Sequence, residues 1–144
     1  MRRAGFSLPE LLVILVLTAL VAAVGVPSLT YAIDRRLVES AAQQIINAHR
    51  EARWAATTTR QLALLRLAAD TLELRLTDGG RDTTLVWRRP GPAFFDVAVT
   101  GNPHLIRFVP AGYSIGVSNT SYTISRGSAT RRVVISRLGR VRVE

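Results

Sequence analysis

From Leu11 to Ile33 the chain carries no charged side chain. At about 1.5 Å of rise per residue this run makes roughly 35 Å of helix, enough to cross a hydrocarbon core of about 30 Å. A helix that is apolar on every side must bury all of its faces, in lipid or against other helices. Glu10 stands at its start, behind Arg2, Arg3 and Gly5. A carboxylate at a bilayer centre costs on the order of 2.5 kcal/mol or more on insertion scales, so Glu10 is expected to have a partner and a role.

The residues around that glutamate carry a resemblance. Gly5-Phe6-Ser7-Leu8-Pro9-Glu10-Leu11-Leu12-Val13 resembles the class III signal of type IV pilins and type II secretion pseudopilins. In that family a prepilin peptidase cuts after the glycine and methylates the new amino terminus. The resemblance implies cleavage after Gly5, N-methylation of Phe6, and pairing of Glu10 with the Phe6 amine of a neighbouring subunit during filament assembly. Pro9 departs from the aliphatic residue common at that place, but a first helical turn tolerates a missing N–H. Unlike an ordinary secretory signal, cleavage there leaves the apolar run attached. Breaking one half of a buried ion pair would leave an uncompensated charge. The alternative is an ordinary single-pass anchor with an incidental glutamate.

Charge sets the orientation. The formal net charge is +9, and losing Arg2 and Arg3 with the leader leaves +7. Arg2 and Arg3 before the run place the extreme N-terminus in the cytoplasm by the positive-inside rule, and the remainder outside it. The expected location is the inner (cytoplasmic) membrane and then the pilus or pseudopilus. Every basic side chain is arginine. Arginine presents a planar fork that matches phosphate and carboxylate, although a lysine-free composition also follows from genome bias or a hot habitat. There is no cysteine, so disulfides, thiol catalysis and thiolate metal sites are excluded.

Residues 1–5 read as leader, 6–33 as a transmembrane and filament helix, 34–59 as its amphipathic second half, and 60–144 as a β domain. Gly25 and Pro27 predict a helix kink or melted turn. Leu37, Ala41, Ile45, Ala48, Ala52 and Ala55 recur at spacings of three and four, an apolar stripe for packing on a domain. Trp54 is expected to anchor the helix in the core, and Thr57-Thr58-Thr59 to end it. From Arg60 the period becomes two. Strands are expected at 61–67, 71–77, 85–88, 94–99, 104–109, 113–117, 121–125, 132–137 and 140–143, with turns at Asp78-Gly79-Gly80, Gly101-Asn102-Pro103 and Gly127-Ser128. The fold class is therefore α+β, a long N-terminal helix packed on a small antiparallel β-sandwich-like domain. About 85 residues are few for an independent core, so the helix should supply burial. This layout is similar to the FimT/GspH branch of minor pilins and pseudopilins, most closely at the N-terminus and at the closing Gly139-Arg140-Val141-Arg142-Val143.

No catalytic constellation appears, and no enzyme activity or cofactor is expected. His49 and His104 are far apart in sequence, and no phosphate loop, metal cluster or nucleophile elbow is present. The C-terminal third is distinctive. Between Asp96 and Glu144 no acidic side chain occurs, while Arg107, Arg126, Arg131, Arg132, Arg137, Arg140 and Arg142 fall in the same interval. In a strand Arg140 and Arg142 share a face, and clustered arginines receive phosphate oxygens. Some FimT-type minor pilins bind DNA in natural transformation through a Gly-Arg-x-Arg element, which Gly139-Arg140-Val141-Arg142 matches. The resemblance thus implies a DNA-binding set of Gly139, Arg140, Arg142, Arg137, Arg132, Arg131 and Arg126. Tyr113 and Tyr122 are base-stacking candidates, more simply read as core or rim. The competing reading is a solvated basic edge that blocks strand aggregation. Expected partners are other pilins or pseudopilins, prepilin peptidase, the inner membrane, and double-stranded DNA. The functional expectation is a FimT-like minor pilin contributing to DNA uptake in competence; the alternative is a GspH-like minor pseudopilin of a type II secretion system.

Overall fold

The computed structural model describes residues 7–79, 82–102, 105–116 and 119–144. Gly5, Phe6 and His104 lie outside the described residues. Helix α1 spans Leu8–Thr59. At its start the Ser7 N–H and hydroxyl both donate to Glu10 Oε2, at 3.2 and 3.3 Å. This is half of a capping box, with the glutamate reaching back to an orphan N–H of the first turn.

Gly25 and Pro27 do not interrupt α1, and the melted turn expected there is absent. Proline removes only one backbone donor. The Ser28 hydroxyl donates to the Gly25 carbonyl at 2.9 Å and the Thr30 hydroxyl to the Val26 carbonyl at 3.0 Å, so side-chain donors supplement the ladder around the proline. The helix ends where three threonines meet. The Thr57 and Thr58 hydroxyls cap the Trp54 carbonyl at 2.9 and 2.8 Å, and Thr59 caps Ala55 at 2.8 Å. Arg60 then takes φ +57°, turning the chain away.

The chain divides into two compact units, Met1–Ile33 and Asp34–Glu144. In the first, the large apolar side chains are exposed, Leu8 at 74% and Val21 at 72% among them. By length and composition α1 is able to cross a membrane.

The second unit holds the core. Val38, Ala41, Ala42, Ile45, Ala48, Ala52, Ala55 and Ala56 of α1 are buried against two antiparallel sheets. The run of alanines lets backbone approach backbone closely. Strands β1 (Leu62–Leu67), β2 (Thr71–Thr77), β3 (Thr84–Pro90), β5 (Leu105–Phe108) and β6 (Ser114–Ile115) form a sheet in the order β3-β2-β1-β5-β6. Strands β4 (Ala98–Asn102), β7 (Asn119–Arg126), β8 (Ala129–Ser136) and β9 (Val141–Val143) form the other, in the order β4-β7-β8-β9. Alternation decides the inward residues: Ala63, Leu65, Leu67, Leu72, Leu74, Ile106 and Phe108 from one sheet, Tyr122, Ile124, Val133 and Ile135 from the other.

Two expectations are corrected. Residues 94–99 do not form one strand: Pro92–Phe95 is a 3-10 turn that Asp96 ends at φ +52°, and β4 begins only at Ala98. Pro92 starts that turn because its fixed φ suits a first helical position. Trp54 does not anchor the core and is 68% exposed. The inward places on its turn are taken by Ala52, Ala55 and Ala56, and the small residues leave no room for an indole.

Candidate functional site

The C-terminal arginines separate by strand parity and by partner. In β8, Val133 and Ile135 point inward, so Arg132, Val134 and Ser136 share the outer face. The β8–β9 ladder pairs Val134 with Arg142 and Ile135 with Val141. Arg132 and Glu144 exchange both backbone hydrogen bonds at 2.8 Å. The Ser136 N–H donates to the Arg140 carbonyl at 2.8 Å, and the Arg140 N–H donates to the Ser136 hydroxyl at 3.0 Å. Gly139 makes the turn, at φ +79°, that reverses the chain for this pairing.

Arg132, Arg140 and Arg142 therefore stand exposed on one outer face. Two residues apart in extended chain, Arg140 and Arg142 are about 6.8 Å from each other, and Arg132 lies diagonally from Arg142 at roughly 7–8 Å. Beside them a shallow concavity of about 360 Å³ is lined by Asn119, Val134, Ser136, Arg140, Arg142 and Glu144. Among the described residues none of the three guanidinium groups enters an ion pair. Glu144 shares the face and offsets part of their charge. Three unpaired forks on a flat, hydroxyl-bearing surface can grip phosphate or carboxylate oxygens.

The remaining arginines of the expected set are placed elsewhere. Arg126 donates from Nε to Asp34 at 2.7 Å and from Nη1 to the Asp96 carbonyl at 2.8 Å and to its carboxylate. The Asp34 hydrogen bond, then Asp96, holds its pKa above the ordinary value. This clamp ties α1 to the β7–β8 hairpin, where Gly127 leaves space that a Cβ would fill 2.5 Å from Asp34 Oδ2. Arg131 lies 3.5 Å from Glu39 and points to the opposite side of β8 from Arg132. Arg137 follows β8 and sits over the Tyr113 ring at 5.8 Å. Arg126 and Arg131 are thus committed to carboxylates, and the open cluster reduces to Arg132, Arg140 and Arg142. Tyr122 is buried, which pushes its phenol pKa up and removes it as a stacking platform.

Two features escaped the sequence reading. On the outer face of the five-stranded sheet, Arg66 and Arg88 lie opposite Glu73, and Arg107 lies opposite Leu64. Glu73 is buried beneath Arg75 and Arg88, and the Arg75 hydrogen bond holds its carboxyl below the ordinary value. Alternation in Leu64, Arg66, Glu73 and Arg75 was the available signal. The second feature is a cavity of about 290 Å³ lined by His49, Arg50, Arg53, Trp54, Phe108, Ile135 and Val141. It joins elements too far apart in sequence for any local pattern to announce it.

Comparison with known proteins agrees with this architecture. The type IV minor pilin FimU of Pseudomonas aeruginosa, in two crystal forms, superposes with TM-scores of 0.60 and 0.64 at 17% identity, over 74% and 76% of this chain and 91% and 90% of FimU. The minor pseudopilin EpsH from the Type 2 Secretion System of Vibrio cholerae superposes with a TM-score of 0.57 at 10% identity, over 74% of this chain and 95% of EpsH. These similarities establish the fold. No curated protein sequence matches. The sequence profile described as type II transport protein GspH matches residues 35–139, which takes in the amphipathic half of α1 and nearly all of the β domain. The chain belongs to the GspH family.

Proposed function

We propose that the chain is a processed, membrane-inserted minor pilin of a type IV pilus, FimT-like, whose outer β8–β9 face binds the DNA backbone during uptake. In this reading a prepilin peptidase cleaves after Gly5 and methylates Phe6. The apolar half of α1 then moves from the inner membrane into a filament of pilins, and the β domain stays outside the cytoplasm. The observation that carries the DNA reading is the exposure of Arg132, Arg140 and Arg142 together on one face, outside any ion pair among the described residues. Arg126 and Arg131 drop out of the set because carboxylates hold them.

Such a site would read phosphates, not bases, and its affinity would fall steeply with salt. Three phosphate contacts give a slope near −2.7 in log K against log salt, or roughly 40-fold weaker binding from 50 to 200 mM. The test is fluorescence anisotropy of a labelled duplex with the full chain in non-ionic detergent. An Arg140→Glu, Arg142→Glu variant should lose most binding and most of the salt slope. Absence of wild-type binding at low salt refutes the proposal, and binding that survives the double change moves the site to other arginines.

The second reading is a GspH-like minor pseudopilin of a type II secretion system. The family match over residues 35–139 favours it. In that case the same arginine face would meet carboxylates of filament neighbours or secreted proteins, and duplex DNA would bind no better than an acidic polypeptide of equal charge.

A further inference from the structure

The cavity at the C-terminal end of α1 has the build of a side-chain receptor. Its volume is about 290 Å³, and Phe108, Ile135 and Val141 give it apolar walls. His49 forms the floor at 3% exposure, with neither ring nitrogen hydrogen-bonded. Trp54 stands beside it, 68% exposed, and Leu138 in the neighbouring turn is 65% exposed. An indole held in water next to an apolar cavity is a residue type that carries binding energy when a partner covers it, and Leu138 adds apolar surface beside it.

The rim gives the sign of the partner. Arg50 and Arg53 line the cavity and enter no ion pair among the described residues. Gly139 permits this placement, since a Cβ there would come within 2.7 Å of Arg53 Nη1. Among the described residues no acidic side chain lines the cavity. A second copy of the chain is a poor match, because its net charge is +9 and its exposed Phe94 lies beside an Asp96 already tied to Arg126. We propose that this cavity docks an acidic segment of a partner protein, which inserts one large apolar side chain beside Trp54 and pairs its carboxylates with Arg50 and Arg53. The cavity lies next to the outer face bearing Arg140 and Arg142, with Val141 lining both concavities, but the proposal uses Arg50, Arg53 and Trp54 and stands whether or not that face binds DNA.

The probe is a randomised eight-residue peptide library, panned against the full chain in nanodiscs. Recovered peptides are then titrated by Trp54 emission in a Trp87→Phe background, which leaves one tryptophan as reporter. The expected peptides carry Asp or Glu around a single Phe, Trp or Leu, shift the emission to the blue, and bind about tenfold or more weakly to an Arg50→Glu, Arg53→Glu variant. Both arginines are exposed, so the folded state should survive, and circular dichroism checks it. An Arg66→Glu variant, on the outer face of the five-stranded sheet and outside the cavity lining, should bind these peptides unchanged. Recovery of no peptides, of peptides without acidic bias, or of peptides that bind the Arg50/Arg53 variant equally well overturns the proposal. So does a Trp54 response to duplex DNA with none to acidic peptides, which would assign the cavity to nucleic acid.

Discussion

Replacing His49 by leucine should make the β domain both more stable and less sensitive to acid. His49 is buried between Phe108 and Tyr122, at ring-centroid distances of 6.0 and 5.8 Å, and neither nitrogen has a hydrogen-bond partner. Burial lowers its pKa from 6.5 to about 3. The folded state therefore keeps the imidazole neutral while the unfolded chain takes up a proton below pH 6.5. Stability is fully present above that value and is lost as the pH falls toward the folded pKa. Between pH 8 and pH 5 the loss is about 1.5 pH units of proton uptake at about 1.36 kcal/mol each, or ~2 kcal/mol.

In the leucine variant this component vanishes. At pH 8 the variant should also gain on the order of 1 kcal/mol, because an unpaired buried polar group is removed. The assay is urea unfolding of the full chain in non-ionic detergent at pH 8, 6.5 and 5, followed by near-ultraviolet circular dichroism. His104 contributes equally to both proteins and cancels in the comparison. Carboxylates such as Glu73, whose pKa is lowered, begin to lose their stabilisation as the pH falls through the ordinary carboxylate value, at the acid edge of this window, and do so alike in both proteins. Equal pH slopes for wild type and variant would refute the reasoning, since they would mean that the folded domain protonates His49 as readily as water does.

Other perturbations test separate parts of the structure. Phe108→Ala, at a side chain 2% exposed, should cost about 3–5 kcal/mol in the same unfolding assay. Gly139→Ala should cost about 1–2 kcal/mol, because its φ of +79° is left-handed and its Cβ would meet Arg53. A variant as stable as wild type would show that the turn relaxes freely. Arg126→Met should lower the melting temperature and speed amide exchange in the β7–β8 hairpin, by leaving Asp34 without its cation; unchanged exchange would remove the clamp from the account. Glu10→Ala should leave membrane insertion intact and impair incorporation into filaments, and normal incorporation would take Glu10 out of assembly.

How far the fold could be read from sequence depended on whether the signal was local. The apolar run, the stripe from Leu37 to Ala55 and the alternation of Leu72, Leu74 and Leu76 each repeat over many residues, and all became the elements they implied. Trp54 misled because size and apolarity suggest burial, whereas the local surface of α1 is set by which neighbours leave room. Residues 94–99 misled because two adjacent phenylalanines favour a strand, while Pro92 and the left-handed Asp96 fix a turn around them. At the candidate site, alternation along residues 140–142 puts Arg140 and Arg142 on one face, as the pairing of Arg140 with Ser136 and of Arg142 with Val134 also does. It could not tell that Arg131 would find Glu39, or Arg126 find Asp34, since those partners lie on α1, roughly ninety residues earlier in the clamp.

Those pairings bear on how a strongly basic chain can assemble at all. Arginines number 19 against 10 acidic residues, so pairing within the chain must leave a surplus. The acids are not spread to minimise it. Asp34, Glu39 and Glu51 neutralise arginines that tie α1 to the sheets, Asp96 shares Arg126 with Asp34, and Glu73 neutralises Arg75 and Arg88 within the five-stranded sheet. Among the described residues, arginines outside any ion pair include Arg132, Arg140 and Arg142 on the β8–β9 face, Arg66 and Arg107 on the five-stranded sheet, Arg50 and Arg53 beside the cavity, and Arg35, Arg36, Arg60 and Arg137 elsewhere. Like charge of this density opposes association of β domains with copies of themselves. The apolar half of α1, by contrast, demands close neighbours or lipid. A chain with an apolar helix and a strongly basic β domain is therefore disfavoured from meeting copies of itself through that domain. Replacing Arg66 and Arg107 by glutamate would weaken that repulsion, and raised self-association of the variant in cross-linking at low salt, absent at high salt, would separate this electrostatic account from one based on shape.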